Sequence, residues 1–187
     1  AESGKQVACV IELQARFDEN RNLHWADELL EVGAHVSFGV LGLKIHAKVT
    51  LVVRQEGDGL RCYCHIGTGN YNEKTARLYE DLGLFTCDPE ITSDVVQLFH
   101  YLTGRALAPK FERLLVAPWN MRERFIALIQ REVEHHKAGR PARIVAKMNQ
   151  LQDVQICEAL VAASREGLPI DLVIRGFCCL RPGIPGQ

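Results

Sequence analysis

The stretch GLKIHAKVTLV, residues 42–52, sets Lys44, His46 and Lys48 at every second position of an otherwise apolar run. In an extended chain residues two apart share a face, so these three line one side and Leu43, Ile45, Ala47, Val49 and Leu51 the other. A lone histidine on an apolar strand reads as a core residue bonded to backbone. Two ammonium groups on the same face change that reading. They hold polyanionic phosphate near the imidazole and disfavour its protonated form, which leaves a ring nitrogen able to attack phosphorus. His46 is therefore the candidate nucleophile, with Lys44 and Lys48 as phosphate contacts, and the pattern predicts a buried strand over 44–53.

A nucleophilic imidazole needs a proton source for the leaving oxygen. In RCYCHIGTGN the alternation puts Arg61, Tyr63 and His65 on one face and Leu60, Cys62, Cys64 and Ile66 on the other. His65, on the expected hairpin partner of the His46 strand, is the candidate for proton transfer. The loop that follows, GTGNYN, is rich in small residues whose backbone N–H groups can approach an anion, and Thr68, Asn70 and Asn72 add neutral donors. It lacks the Gly-Lys-Ser/Thr of a Walker A loop. Arg16, in ELQARFDE, and Arg175, at the end of IDLVIRG, each follow a predicted strand, where open α/β sheets place ligands. Each is a candidate bidentate phosphate contact or a surface ion pair. His135 and His136 are adjacent, which suits a solvated helix face better than a metal site.

The elements that must position these groups alternate between strand and helix. Strands are expected at 6–13, 34–40, 44–53, 60–66, 81–87, 142–148 and 169–176, a hairpin turn at 56–59, and an extended piece at 113–118. Helices are expected at 22–33, 91–104, 120–138 and 153–167. The chain has 187 residues, 22 basic against 23 acidic, enough for one fair-sized domain or two small ones. Near-zero net charge argues against a general nucleic-acid coat and makes any anion site local. Seven cysteines without Cys-x-x-Cys spacing read as reduced, mostly core thiols of a cytosolic protein. No apolar run is long enough to span a membrane. Both ends read as cuts through a longer protein.

The first and last thirds share the order strand, polar loop, helix, glycine, strand, the mark of a duplicated α/β half. The first copy leads on to His46. The second stops before any matching histidine.

Taken in order, ELQARFDE, GLKIHAK, HIGTGNYNEKTARLY and VIRG resemble the long, phospholipase-D-like polyphosphate kinases of bacteria, and they run along nearly the whole chain. The resemblance implies a phosphotransferase that moves the terminal phosphate of ATP reversibly to inorganic polyphosphate, with Mg2+ and ATP/ADP and without nucleic acid. It implies that His46 is phosphorylated, that His65 is the second catalytic histidine, and that Tyr79 and Arg175 bind nucleotide. Arg16 matches a position associated with Mg2+. A guanidinium cannot ligate a cation, so it would act through the bound phosphates. The implied fold is α/β, with duplicated phospholipase-D-like halves of mixed sheets flanked by helices. Residues 1–112 would belong to the first catalytic domain, lacking its start, and 113–187 would begin a truncated second one. The implied parent is a homo-oligomer, cytoplasmic or peripheral to the inner membrane, and the 187-residue piece alone is expected to be inactive. Val53 stands where the superfamily usually carries Asp, which weakens a diesterase reading. A phospholipase-D-like phosphodiesterase or nuclease using the same histidine remains an alternative, as does a non-catalytic polyanion-binding module.

Overall fold

The computed structural model describes residues 1–12 and 19–186, with side chains of 19–21 excepted. The chain divides into two compact units, Ala1–Leu114 and Leu115–Gln187.

The first unit opens with a crossover. Strand β1 (Ala8–Val10) pairs in parallel with β2 (His35–Ser37), and helix α1 (Glu19–Glu31) lies between them. The helix stops at Gly33, whose φ of 81° is costly for any side chain with a Cβ. There the Gly33 N–H donates to the Leu30 carbonyl and the Ala34 N–H to that of Leu29, which satisfies the last open carbonyls.

An antiparallel sheet follows. Strand β3 (Lys48–Glu56) turns at Gly57 and Asp58 into β4 (Gly59–Gly67), in register from Lys48 opposite Gly67 to Glu56 opposite Gly59. The short helix α2 (Glu73–Ala76) then leads to β5 (Gly83–Thr86), which pairs with the other edge of β4. One face of this sheet carries Cys64, nearly fully buried, and helix α3 (Pro89–Leu102) packs on β3 and β4. Asp88 caps α3 by accepting from the Glu90 and Ile91 N–H groups. Val95, Leu98 and Phe111 complete the small core. The buried Asp94 carboxylate accepts from the backbone N–H groups of Glu112, Arg113 and Leu114, tying the end of the unit to α3.

The second unit is a helix, α4 (Met121–Lys137), and another crossover, β6 (Ile144–Met148), α5 (Val154–Arg165) and β7 (Ile170–Ile174). β6 and β7 are parallel, from Ile144 opposite Ile170 to Met148 opposite Ile174. Helix α5 ends as α1 does, with Gly167 at φ 85° and the Gly167 and Leu168 N–H groups on the carbonyls of Ser164 and Ala163. Ile129, Leu151, Cys157, Leu160, Ala163 and Leu168 form its core. Asp153 caps α5 through the Ile156 N–H and accepts from Arg122 Nε on α4 at 2.6 Å. The Arg122 hydrogen bond, then the backbone N–H, holds the Asp153 carboxyl below the usual carboxylate range. The fold is thus α/β with both parallel and antiparallel pairings.

Most expected elements form, but the segment around His46 differs. β3 begins only at Lys48, so Lys44 and His46 precede the strand and none of its residues is fully buried. The reason is the partner. β4 ends at Gly67, and its chain then bends into the glycine-rich loop, so residues before Lys48 have no ladder to join. The Ile45 N–H bonds instead to the Glu12 carboxylate at 2.7 Å. No strand forms at 113–118. Of the seven free cysteines only Cys64 and Cys157 are buried, whereas Cys178 and Cys179 are exposed, so most are not core thiols. Among the described residues no helix is long and apolar enough to cross a membrane.

Candidate active site

The site is built on the face of the β3–β4–β5 sheet opposite α3. Register puts Lys48, Thr50, Val52 and Arg54 of β3 on this face beside Gly67, His65, Tyr63 and Arg61 of β4, with Gly83 and Phe85 of β5 completing the rows. The register splits β4 into the two expected faces, although Leu60 at its hairpin end is itself exposed.

His46 sits just before β3. Its edge is open to solvent, yet the chain packed around it desolvates the ring, and this is the main cause of a pKa held below the ordinary 6.5. The charges of Lys48 and then Lys44 lower it further. The neutral ring is favoured by all three effects. Lys48 Nζ donates to the His46 carbonyl at 2.6 Å, which fixes the backbone from which the imidazole projects. The Lys48 ammonium is itself desolvated, which lowers its pKa, and the nearby Asp81 carboxylate partly restores it.

His65 is held on three sides. Its Nδ1 lies 2.7 Å from Tyr71 Oη, and its ring packs 4.4 Å from that of Phe85. The imidazole leans along β4 over the glycine pair Gly67–Gly83, which face each other in register. A Cβ on Gly83 would stand 2.6 Å from His65 Nε2, and one on Gly67 3.0 Å from Cε1. Since Lys48 is opposite Gly67, this lean carries the imidazole toward the row that holds Lys48.

The loop after His65 is closed by its own contacts. Thr68 donates from its hydroxyl to Asp81 Oδ1 and accepts from the Leu82 N–H, both at 3.0 Å. A Cβ at Gly69 would meet Asp81 Oδ2 at 2.2 Å, so only glycine lets the carboxylate in. Asn72 caps α2 by accepting from the Lys74 and Thr75 N–H groups. The Thr68 hydroxyl, expected as an anion donor, thus gives its proton to Asp81, whereas Asn72 uses its Oδ1 as a cap and the Asn70 side chain stands at an exposed position. Tyr79 follows α2 and its ring is half exposed. Arg175 lies in the second unit immediately after β7, its N–H on the Met148 carbonyl. Arg16 lies outside the described residues. His135 lies 3.9 Å from Glu132 on α4.

Tyr71, Thr50, Asp81, Gly83 and Phe85 belong to the site but were not singled out from the sequence. Register arithmetic on the hairpin would have found Thr50, since it stands opposite His65. Tyr71 and Asp81 reach the site through loops, where no periodicity applies.

The arrangement defines a class first: an α/β protein with an imidazole between two lysines just before an open sheet face, and a second, oriented imidazole on that face. Residues 1–108 match the family model described as polyphosphate kinase C-terminal domain 1, and residues 114–187 match that of C-terminal domain 2. The chain belongs to the polyphosphate kinase family. It is 58% identical over 184 residues to a polyphosphate kinase of Synechocystis, and 59% identical over 186 residues to one of Thermosynechococcus vestitus. These alignments cover 98% and 100% of this chain, which spans only 25% of the length of either relative. The crystal structure of polyphosphate kinase from Porphyromonas gingivalis superposes with a TM-score of 0.86 at 41% identity, covering 100% of this chain and 31% of that one.

Proposed function

We propose that this chain is the catalytic part of a polyphosphate kinase, which transfers the terminal phosphate of ATP to inorganic polyphosphate through a phosphohistidine at His46, and runs in reverse to make ATP. The observation that carries this reading is His46, an imidazole set between Lys44 and Lys48, with its pKa lowered by desolvation and by those two charges. A ring nitrogen of His46 attacks the γ-phosphorus, an N–P bond forms, and the bond from phosphorus to the oxygen retained by ADP breaks. The lysines offset the charge of the transferring group. His65 supplies a hydrogen bond or proton to the departing oxygen. A terminal oxygen of polyphosphate then displaces the phosphoryl group, the N–P bond breaks, and the chain is longer by one phosphate.

Asn70 contacts phosphate, while Tyr79 and Arg175 contact the nucleotide. Arg16 would hold the phosphates, whose charge a bound Mg2+ would help to offset. Among the described residues no three His, Cys, Asp or Glu side chains converge to form a cation cage. Asp81 is committed to Thr68 and to the Lys48 charge. These residues do not by themselves fit a protein-held Mg2+, and no step here is routed through one.

The finer fold reading is a duplicated phospholipase-D-like half, with 1–112 in the first catalytic domain and 113–187 opening the second. Its support is that β1–α1–β2 and β6–α5–β7 repeat one order, one parallel pairing and one glycine cap. The homo-oligomeric, cytoplasmic or membrane-peripheral parent rests on the resemblance of the motifs.

The test is to label the intact protein with γ-labelled ATP. The expected product is an acid-labile, base-stable phosphoryl group that is absent from His46→Ala. Label that persists in His46→Ala sinks the assignment.

A further inference from the structure

His65 is placed by the fold, but its proton is placed by a neighbour outside the expected set. Tyr71 Oη lies between two partners, Thr50 Oγ1 at 3.1 Å and His65 Nδ1 at 2.7 Å. A phenol has one proton to give. With the Thr50 hydroxyl donating into Oη, that proton is directed at Nδ1. We propose that Tyr71 is a positioning residue for the phosphotransfer reaction, which orients His65 and fixes its neutral form with the hydrogen on Nε2.

Three further observations agree with this role. Nε2 lies over Gly83, on the β5 side of β4, and is the ring nitrogen that Tyr71 does not occupy. The tyrosine ring itself packs 5.6 Å from the imidazole, and Phe85 packs at 4.4 Å, so rotation of His65 is limited by both. Thr50 stands opposite His65 in register, so the strand pairing that fixes His65 also fixes the group that orients the tyrosine hydroxyl. The reverse chain, in which Nδ1–H donates to Tyr71 and Tyr71 donates to Thr50 Oγ1, would leave Nε2 without a hydrogen, and histidine spectra separate the two arrangements. A neutral histidine that offers a hydrogen bond from Nε2 to the departing oxygen gains from having the other nitrogen occupied by a donor.

The inference rests on the phosphotransfer reading, so its test has one kinetic and one spectroscopic arm, both on the intact protein that carries this chain. Tyr71→Phe keeps the ring and removes the hydroxyl. It is expected to lower kcat about tenfold to a hundredfold, with KM for ATP little changed, because misorientation of a group that hydrogen-bonds the departing oxygen costs rate more than binding. In a His65→Ala background the same change is expected to cost less than about twofold, since a residue that acts through another has nothing left to act on. Histidine-selective 15N spectra are expected to show the Nε2–H form of His65 in the wild type and a mixture of the two neutral forms in Tyr71→Phe. Equal losses in both backgrounds, or a His65 spectrum that Tyr71→Phe leaves unchanged, overturn the proposal. A wild type that forms no phosphohistidine but shows the spectral change would retain the positioning and remove the phosphotransfer reading instead.

Discussion

The crossovers β1–α1–β2 and β6–α5–β7 are alike in order and unlike in burial. Both pair their strands in parallel, and both end the helix on a glycine in the left-handed region. In α5, Leu160 and Ala163 are 5% and 1% exposed, and α4 covers them. In α1, Leu23 and Leu30 are 48% and 50% exposed, and Ala26 is the helix residue recorded as buried. A helix therefore forms from its local pattern and its cap, whereas its burial depends on whether another element lies against it. The unit with the thinner cover is also the one that bears the proposed chemistry. Its sheet buries one face under α3 and leaves the face with His65 and Lys48 open to solvent.

The largest expected effect tests that difference in cover. Leu160→Ala removes a packed side chain and is expected to cost about 2–5 kcal/mol, while Leu30→Ala, half exposed already, is expected to cost less than about 1 kcal/mol. Hydrogen exchange of the β7 and β2 amides reads each unit separately. Equal losses would mean that α1 is as well covered as α5 in the intact protein, and the contrast would then belong to this piece alone.

A smaller effect tests the likeness. Gly33→Ala and Gly167→Ala each force a Cβ into the left-handed region, at about 1–2 kcal/mol. Gly33 has nothing within 4 Å of the added carbon, and at Gly167 the nearest atom is His136 Nε2 at 3.4 Å, an ordinary contact. Near-equal losses in thermal unfolding are therefore expected. A Gly167→Ala cost several times larger would show that the two caps do different jobs and would weaken the duplication.

The same contrast marks what the sequence could reveal. The second crossover was legible almost to the residue, because strand and helix periods and the glycine stop are local signals: 142–148, 153–167 and 169–176 became Ile144–Met148, Val154–Arg165 and Ile170–Ile174. The hairpin was equally legible from GDG and from the alternation on either side of it. The His46 segment was not, because its extension as a strand depended on whether β4 continued past Gly67, a tertiary fact. Alternation correctly grouped the two lysines with His46 as electrostatic neighbours. It could not show that Lys48 would spend a hydrogen bond on the His46 carbonyl, or that Asp81 would arrive from a distant loop to face it. Tyr71 was quoted within the loop yet assigned nothing, since its role exists only once the loop folds back over Thr50 and His65.

The smallest expected effect concerns the open face itself and the charge that His46 meets there. Burial first, then Lys48, then Lys44, holds its pKa below 6.5. Between that lowered value and the unfolded one near 6.5, the unfolded chain binds more protons than the folded chain, so stability rises with pH across this window, and on acidification the loss levels off once the folded ring is protonated too. The proposed phosphorylation of His46 needs the neutral ring, so its rate should fall only when pH drops below the ordinary histidine range. Lys48→Met removes one lowering charge and keeps an apolar stem, and the acid limb of the rate is expected to move up in pH. Lys44→Met should move it in the same direction by less, because Lys44 is the weaker of the two charges. Neither change, nor both together, should bring the limb fully to 6.5, because desolvation is the larger cause and survives both. A proton-NMR titration of His46 beside the pH–rate profile checks the order. A Lys48→Met limb that stays in place would mean that the charge is screened on this exposed face, and that burial alone keeps the nucleophile neutral.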